Sequence, residues 1–180
     1  MLRPFLFLLL LATGVACAGE LTLTLPGRGS LILDLPEGWD ARIERPRAEM
    51  PPTVVIASRV ARAYLVQVTP FWAVGPNRKP TAADIRSLVE GAVAEAAAQA
   101  EERDIAITEF TSNGRPGAYF SATDKAPEQD GYKYLTQGAI AVDELSVTFT
   151  VLSNRDHKEV LAKTLEMLSS AYRGPAQRGT

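Results

Sequence analysis

The chain has few of the residues that commonly build catalytic or metal centres. Its 180 residues include one cysteine, Cys17, and one histidine, His157. One cysteine excludes a disulfide within the chain, and a lone histidine excludes the usual transition-metal clusters. The formal net charge is −2 with no long run of either sign, which argues against nucleic acid as a partner. Neither phosphate-binding glycine fingerprint occurs, so no cofactor is expected.

The sequence also lacks a recognisable set of catalytic residues. No serine lies in a Gly-x-Ser-x-Gly turn, and His157 alone would have to serve any serine triad. It falls in the first turn of a predicted helix, where we expect an exposed structural residue. Asp124, Glu128 and Asp130 before Gly131 lack the spacing of a calcium loop, so a solvated loop is expected. We therefore predict no catalytic or metal-binding residues.

Long apolar runs are absent except at the start of the chain. Residues 1–18 combine Arg3, an apolar run over residues 5–11, and small residues at positions 16–18. This order is typical of an export signal. The run is too short for a membrane-spanning helix, which needs about 20 apolar residues. The sequence therefore predicts export.

The fate of Cys17 depends on where the signal is cut. Cleavage after Ala18 would remove Cys17 and leave a protein that is periplasmic or secreted. Recognition of residues 14–17 as a lipoprotein signal would instead make Cys17 a lipidated first residue and anchor the protein in the envelope. Gly14 is a poor match to the bulky aliphatic residue that this second pattern usually has, so the sequence favours the first.

Alternating apolar and polar residues predict a fold rich in antiparallel strands. Leu21, Leu23 and Leu25 alternate with threonines, and a second alternating run at 31–35 follows the turn at 26–29. The two runs predict a hairpin. A proline-rich, charged stretch at 44–53 is expected to be irregular. Further strands are predicted at 53–58, 63–72, 105–111, 118–123, 132–142 and 145–153.

Two segments carry apolar residues at helical spacing. Residues 81–103 begin with Thr81 as N-cap and Asp84 three residues later, close to a capping box. A second helix is predicted over residues 153–172. Because the strands arrive in successive hairpins, the order predicts an α+β fold. It would consist of an antiparallel β-sheet with two main helices packed on it, similar to an α/β/α sandwich, and the sequence leaves open whether the helices cover one face of the sheet or both.

The end of one predicted strand combines aromatic and cationic residues. Phe71 and Trp72 are adjacent, so their rings point to opposite faces and one of them can be exposed. Arginines and a lysine occur nearby, and a tryptophan rimmed by arginine is favoured at protein interfaces. A covered sheet edge is the alternative. The possible interaction patch for a protein partner consists of Phe71, Trp72, Arg78, Lys79, Arg45 and Arg47.

One short stretch resembles a known family. The first hairpin closes with Leu-Asp-Leu-Pro-Glu-Gly-Trp at residues 33–39. With the order of strands and helices, it resembles the PsbP-like superfamily, which includes an extrinsic photosystem II subunit, a Ran-binding nuclear transport factor and DcrB-like bacterial envelope proteins. The resemblance implies an antiparallel sheet between helices and a non-enzymatic binding or assembly role. No functional residue of that family is matched.

Together these observations predict a signal peptide at 1–18, a single domain at 19–174 and a flexible tail at 175–180. We expect a non-enzymatic binding or assembly module of the bacterial periplasm or envelope. Two alternatives stay open. One is a lipid-anchored structural component of an envelope complex. The other is a small-molecule enzyme whose site forms only in three dimensions.

Overall fold

The structure, a computed structural model, describes residues 19–45, 50–60, 63–72 and 78–175. The predicted export signal with Cys17, the patch residue Arg47 and positions 176–180 lie outside the described residues. Within the described ranges the elements are β1 (Glu20–Leu25), β2 (Gly29–Asp34), β3 (Ala41–Glu44), β4 (Thr53–Ala57), β5 (Tyr64–Trp72), α1 (Ala82–Ala96), β6 (Ile107–Ser112), β7 (Arg115–Thr123), β8 (Tyr134–Val142), β9 (Leu145–Ser153), α2 (His157–Ser170) and β10 (Tyr172–Gly174).

The strands form two antiparallel sheets. The large sheet has seven strands in the order β3-β4-β5-β9-β8-β7-β6, and the small sheet has the order β1-β2-β10. Strands β8 and β9 pair along nine residues each, from Tyr134 opposite Ser153 to Val142 opposite Leu145. The predicted α+β fold, with helices packed on antiparallel strands, is confirmed.

The two helices pack on opposite faces of the large sheet. Helix α1 lies over β7 and β8, where its buried residues contact Ala118, Phe120 and Ala139. Helix α2 shares a second buried cluster with Ile140 and Phe149. Since neighbouring residues of a strand point to opposite faces, Ala139 and Ile140 place the helices on opposite sides. The arrangement is therefore an α/β/α sandwich with an added small sheet.

The small sheet lies on the same side as α2. Strands β1 and β2 direct Leu23, Leu25, Leu31 and Leu33 into the cluster that also holds the buried residues of α2. Each of these leucines is at most 1% exposed. The alternation of leucine with threonine thus gives the hairpin one apolar face, which seals this side of the large sheet.

Two short strands were not predicted from the sequence. Strand β3 has four residues, of which Arg42 and Glu44 are charged, and it pairs only with β4. Strand β10 has three residues and pairs antiparallel with β2, with Tyr172 opposite Ile32. Neither is long enough to show an alternating pattern; β3 pairs with the next strand along the chain, whereas β10 pairs with β2, which is distant in the sequence.

The connection between β6 and β7 is tighter than expected. The strands predicted at 105–111 and 118–123 leave residues 112–117 as the connection, but Ser112 pairs directly with Arg115. The two turn residues, Asn113 and Gly114, have φ values of 51° and 73°. Positive φ at both central positions is typical of a two-residue type I′ turn, which continues the strands without a bulge.

Helix α1 is shorter than the predicted range of 81–103 and ends at Ala96. Beyond it, Ala100 forms an isolated bridge with Asp124, and the carboxylate of Glu102 accepts a hydrogen bond from the backbone N–H of Thr123 at 2.9 Å. The chain therefore leaves the helix to pair with the end of β7. The alanine-rich sequence of this segment favours a helix, and tertiary contacts override that preference.

Candidate functional site

A cavity of approximately 420 Å³ lies where β5 ends, β9 begins and α1 starts. We call it the Phe71 cavity. Its apolar wall includes the side chains of Phe71 and Leu88, which are 45% and 47% exposed. Large apolar side chains exposed to this extent and grouped around one cavity are typical of a binding surface.

Phe71 and Trp72 occupy different environments although they are adjacent. Phe71 is on the α1 face, whereas Trp72 is half-buried against the cluster on the α2 side. The guanidinium carbon of Arg28 lies 5.6 Å from the centre of the Trp72 ring. Cation–π contact with Arg28 therefore covers part of the ring. Of the two adjacent rings, the Phe71 ring is the one exposed.

The first turn of α1 fixes Arg78 at the cavity mouth. Arg78 donates to both carboxylate oxygens of Asp84, with Nη1–Oδ2 at 2.7 Å and Nη2–Oδ1 at 2.9 Å. Asp84 also accepts from the Thr81 backbone N–H at 2.8 Å, and the Thr81 hydroxyl bonds the N–H of Asp84. The predicted capping box is confirmed. The Arg78 guanidinium, followed by Thr81, holds the pKa of Asp84 well below its usual range.

The remaining patch residues lie at different distances from the cavity. Lys79 Nζ lies 3.7 Å from Asp143 Oδ1 in the turn between β8 and β9. Arg45 instead reaches the small sheet, where its Nη2 donates to the backbone oxygen of Thr24 at 3.4 Å. The structure thus brings Phe71, Trp72 and Arg78 to one cavity, but Arg45 does not line it.

A smaller cavity of approximately 170 Å³ adjoins the Phe71 cavity along α1, and Leu88 lines both. We call the two together the groove. Its floor consists of side chains from β9 and β8 that face α1, namely Ser146, Thr148, Thr150 and Gln137. No sequence motif marks these residues as a site. Their signal is the alternation of Ser and Thr with Val and Phe along β9.

The prediction that His157 is exposed is wrong. The His157 ring is partly buried at the start of α2, with Nδ1 at 2.8 Å from Ser153 Oγ and Nε2 at 3.0 Å from Thr136 Oγ1. Thr136 in turn shares a hydrogen bond of 2.6 Å with Ser121. Burial lowers the pKa of His157, so the ring is neutral at neutral pH.

The two hydroxyl groups that contact the His157 ring are inaccessible to a substrate. Ser153 and Thr136 are fully buried, so neither hydroxyl is accessible to a substrate. A nucleophile–base pair also needs an orienting group on the second ring nitrogen, and Thr136 supplies a hydroxyl there instead of a carboxylate. The network joins β7, β8, β9 and α2 and has a structural role.

The loop weighed as a calcium site has ordinary loop contacts. Asp124 Oδ1 accepts a hydrogen bond from the backbone N–H of Ala126 at 2.9 Å, and Glu128 is exposed. Across the described ranges, no group of three or more His, Cys, Asp or Glu side chains is placed to hold a metal ion. No described helix combines the length and apolar character needed to cross a membrane.

Comparison with known proteins identifies the fold. No protein-family model and no curated protein matches the chain. The solution structure of cyanobacterial PsbP (CyanoP) from Synechocystis sp. PCC 6803 is similar with a TM-score of 0.54 and 12% identity, covering 89% of this chain and 95% of that one. A crystal structure from Bacteroides thetaiotaomicron VPI-5482 gives a TM-score of 0.47 and 9% identity, covering 83% of this chain and 47% of that one. The chain has a PsbP-like fold.

Proposed function

We propose that the chain is an exported, non-enzymatic binding or assembly module of the bacterial envelope, and that it contacts its partner through the Phe71 cavity. One observation carries the proposal: Phe71 and Leu88, both half-exposed, line the same cavity. Exposed apolar side chains that converge on a concave site favour binding, because a partner gains free energy by covering them.

The chemistry around the cavity supports binding over catalysis. Asp84, the acidic residue in the first turn of α1, is occupied by Arg78 and Thr81 and has a lowered pKa. A general acid or base needs a pKa near the working pH, and this carboxylate is far from it. The one histidine bonds Ser153 and Thr136 within the α2 side of the sheet.

The location in the envelope is part of the proposal and rests on the sequence. Residues 1–18 have the order of an export signal, and the family resemblance includes bacterial envelope proteins. A free periplasmic protein and a lipid-anchored one both place the cavity in the same compartment. Intact-mass measurement of the protein purified after export distinguishes them, since lipidation at Cys17 adds acyl chains.

The proposal is tested by binding to washed envelope fragments of the bacterium that makes the protein. The full chain is expressed with its leader, purified after export and pelleted with the fragments. We expect Phe71→Ser/Leu88→Ser to lower the pelleted fraction at least about tenfold, because two exposed apolar contacts are lost. Ile43→Ser is the matched control: Ile43 is 47% exposed but lies on edge strand β3.

The proposal is wrong if wild type does not pellet, or if the double variant pellets as well as wild type. Loss of pelleting in the Ile43→Ser control to the same extent would contradict it too, because the effect would then not belong to the Phe71 cavity. Thermal unfolding of each variant is measured in parallel, so that a misfolded protein is not counted as a binding defect.

A further inference from the structure

We infer that the groove binds a neutral, hydroxyl-rich ligand, namely an oligosaccharide strand of the cell envelope. The inference rests on the proposed function, which places the protein in the envelope. The polar floor, the apolar wall and the charge balance of the groove point to it together.

The floor of the groove presents a row of hydroxyl groups. Ser146, Thr148 and Thr150 alternate along β9, so their side chains stand on the α1 face about 7 Å apart. Gln137 lies opposite Thr150 on β8 and adds a carboxamide. Each hydroxyl and carboxamide group can both donate and accept hydrogen bonds. A sugar hydroxyl also does both, so the two patterns match.

Part of this hydrogen-bonding capacity is unused by the protein. Within the described residues, the hydroxyls of Ser146 and of Ser87 on α1 make no hydrogen bond. Thr148 donates to the backbone oxygen of Thr69 at 3.2 Å and keeps its acceptor sites. Thr150 accepts from Gln137 at 3.4 Å and keeps its proton to donate. The floor can therefore pair with a ligand without breaking contacts of the fold.

The wall of the groove matches the other side of a sugar ring. Pyranose rings expose C–H groups on their faces, and these pack against aromatic and aliphatic side chains. Phe71 and Leu88 present such surfaces at the Phe71 cavity, beside Ser146 on the floor. A ligand with hydroxyls at its edge and C–H groups on its face contacts both at once.

The charge of the groove favours a neutral ligand. Arg78 is paired through two hydrogen bonds with Asp84, so the two charges compensate each other. Glu144 lies at the rim with Arg173 Nη1 at 3.5 Å. An anionic polymer would meet Glu144 and find no uncompensated cation among the groove residues. Charge complementarity therefore disfavours nucleic acid and phosphate-rich ligands.

Two kinds of peptide ligand fit the groove less well. Strand addition needs an open sheet edge, but β5, β9 and β8 each have a neighbour on both sides. An amphipathic helix would place its apolar face on the Ser and Thr hydroxyls of the floor, and burying these without partners costs free energy. A protein ligand is thus the alternative that the experiment must distinguish.

The experiment measures binding of the exported protein to three probes whose sugar chains are uncharged and to one whose sugar chain is anionic. The first three are protein-free bacterial sacculi, tetra-N-acetylglucosamine and maltotetraose, and the anionic probe is heparin. Pelleting is used for sacculi and calorimetry for the soluble probes. We expect binding to at least one probe with uncharged sugar chains and none to heparin.

The diagnostic variant is Ser87→Ala/Ser146→Ala. Neither hydroxyl is bonded within the described residues, so the fold is unaffected, and we expect binding to weaken at least about tenfold as two ligand hydrogen bonds are lost. Thr108→Ala/Thr111→Ala on edge strand β6 is the control with two exposed hydroxyls removed elsewhere, and its binding stays at the wild-type level.

Binding to none of the three probes with uncharged sugar chains overturns the inference, as does unchanged binding in Ser87→Ala/Ser146→Ala. Envelope pelleting separates this failure from that of the proposed function. If pelleting depends on Phe71 and Leu88 and is abolished by protease treatment of the fragments, while no sugar binds, the ligand is a protein and the proposed function stands. If the protein does not pellet with any envelope fraction, the proposed function itself fails.

Discussion

The two faces of the large sheet are built from the same strands but are covered differently. The face toward α2 carries large apolar residues such as Phe149 and Val151, and both α2 and the small sheet cover it. The face toward α1 carries Phe120 and alanines under the helix and Ser146, Thr148 and Thr150 beside it. We call them the sealed face and the open face. Because the sealed face holds the larger buried cluster, we expect it to provide most of the stability.

The difference between the two faces follows from the sequence of β9. Every second residue from Leu145 to Val151 is apolar and buried, and the residues between are serine or threonine and partly exposed. Continuous apolar runs would have favoured two fully covered faces, as in parallel sheets. The alternation therefore predicts a sheet with one covered face and one partly exposed face.

The largest expected effect comes from opening a cavity in the sealed face. Phe149→Ala removes a ring that is 2% exposed and should lower the free energy of unfolding by about 3–5 kcal/mol. Urea denaturation monitored by circular dichroism measures the change. Leu88→Ala on the open face is the comparison and should cost less than about 1 kcal/mol. Similar losses of unfolding free energy in Phe149→Ala and Leu88→Ala would contradict the difference in stability that we expect between the sealed face and the open face.

A second, smaller effect should follow from releasing the end of α2. Arg115 on β7 donates to the backbone oxygens of Ala171, at 2.6 Å, and of Ser169. A cation at these carbonyls also interacts favourably with the helix dipole. We expect Arg115→Ala to lower the free energy of unfolding by about 1.5–3 kcal/mol, measured by the same denaturation.

Arg86→Ala is the matched control for Arg115→Ala. Arg86 bonds the exposed carboxylates of Glu90 and Glu109 on the open face, where solvent screens the interaction. Its loss should change stability little. If Arg86→Ala were as destabilising as Arg115→Ala, surface ion pairs and not the anchoring of α2 would stabilise the fold.

An element of the fold could be predicted from the sequence where the residues that stabilise it form a pattern within the same segment. The alternating leucines of β1 and β2 and the periodic apolar residues of α2 are local signals, and both elements were predicted, although α2 spans His157–Ser170 and not the predicted 153–172. Strand β10 was missed because three residues carry no period and gain their structure from β2. The partly buried position of His157 was missed because Thr136, one of its two hydrogen-bond partners, is 21 residues away in sequence.

The candidate site, like the fold, could be predicted from the sequence only where its signal is local. The adjacency of Phe71 and Trp72 at a strand end is visible in the sequence, so a partly exposed ring could be expected. Which ring is exposed depends on Arg28, which covers Trp72 from the turn between β1 and β2. That Leu88 joins Phe71 depends on how α1 docks on the sheet, which no local pattern determines.

The third expected effect is a dependence of stability on pH, and it arises from His157 on the side of the sealed face. Burial lowers the pKa of His157, so the folded state favours the neutral ring. As pH falls below about 6.5, the usual pKa of histidine, the unfolded chain takes up the proton first and stability decreases. The decrease stops once pH is below the pKa in the folded state. Stability contributed by this group is therefore fully present only above about pH 6.5.

His157→Gln measures this contribution, because glutamine keeps a hydrogen-bonding side chain that does not titrate. We expect the difference in unfolding free energy between wild type and variant to shrink as pH falls from 7.5 to 5. The carboxylates titrate in both proteins and cancel in the difference. A difference that is constant over this range would mean that His157 has the same pKa in the folded and unfolded states.

The smallest expected effect on stability comes from replacing Phe71. Comparing this variant with one at Trp72 distinguishes best between the roles of the open face and the sealed face. Phe71→Ser removes an exposed ring and should change the unfolding free energy by less than about 0.5 kcal/mol while reducing envelope binding. Trp72→Ala should lower the unfolding free energy more than Phe71→Ser and reduce envelope binding less, because the Trp72 ring packs against the sealed face and under Arg28. Paired denaturation and pelleting measurements on the two variants test this contrast. If Trp72→Ala reduced binding without lowering stability, Trp72 and not Phe71 would be the contact, and the binding surface would extend around the sheet end toward Arg28.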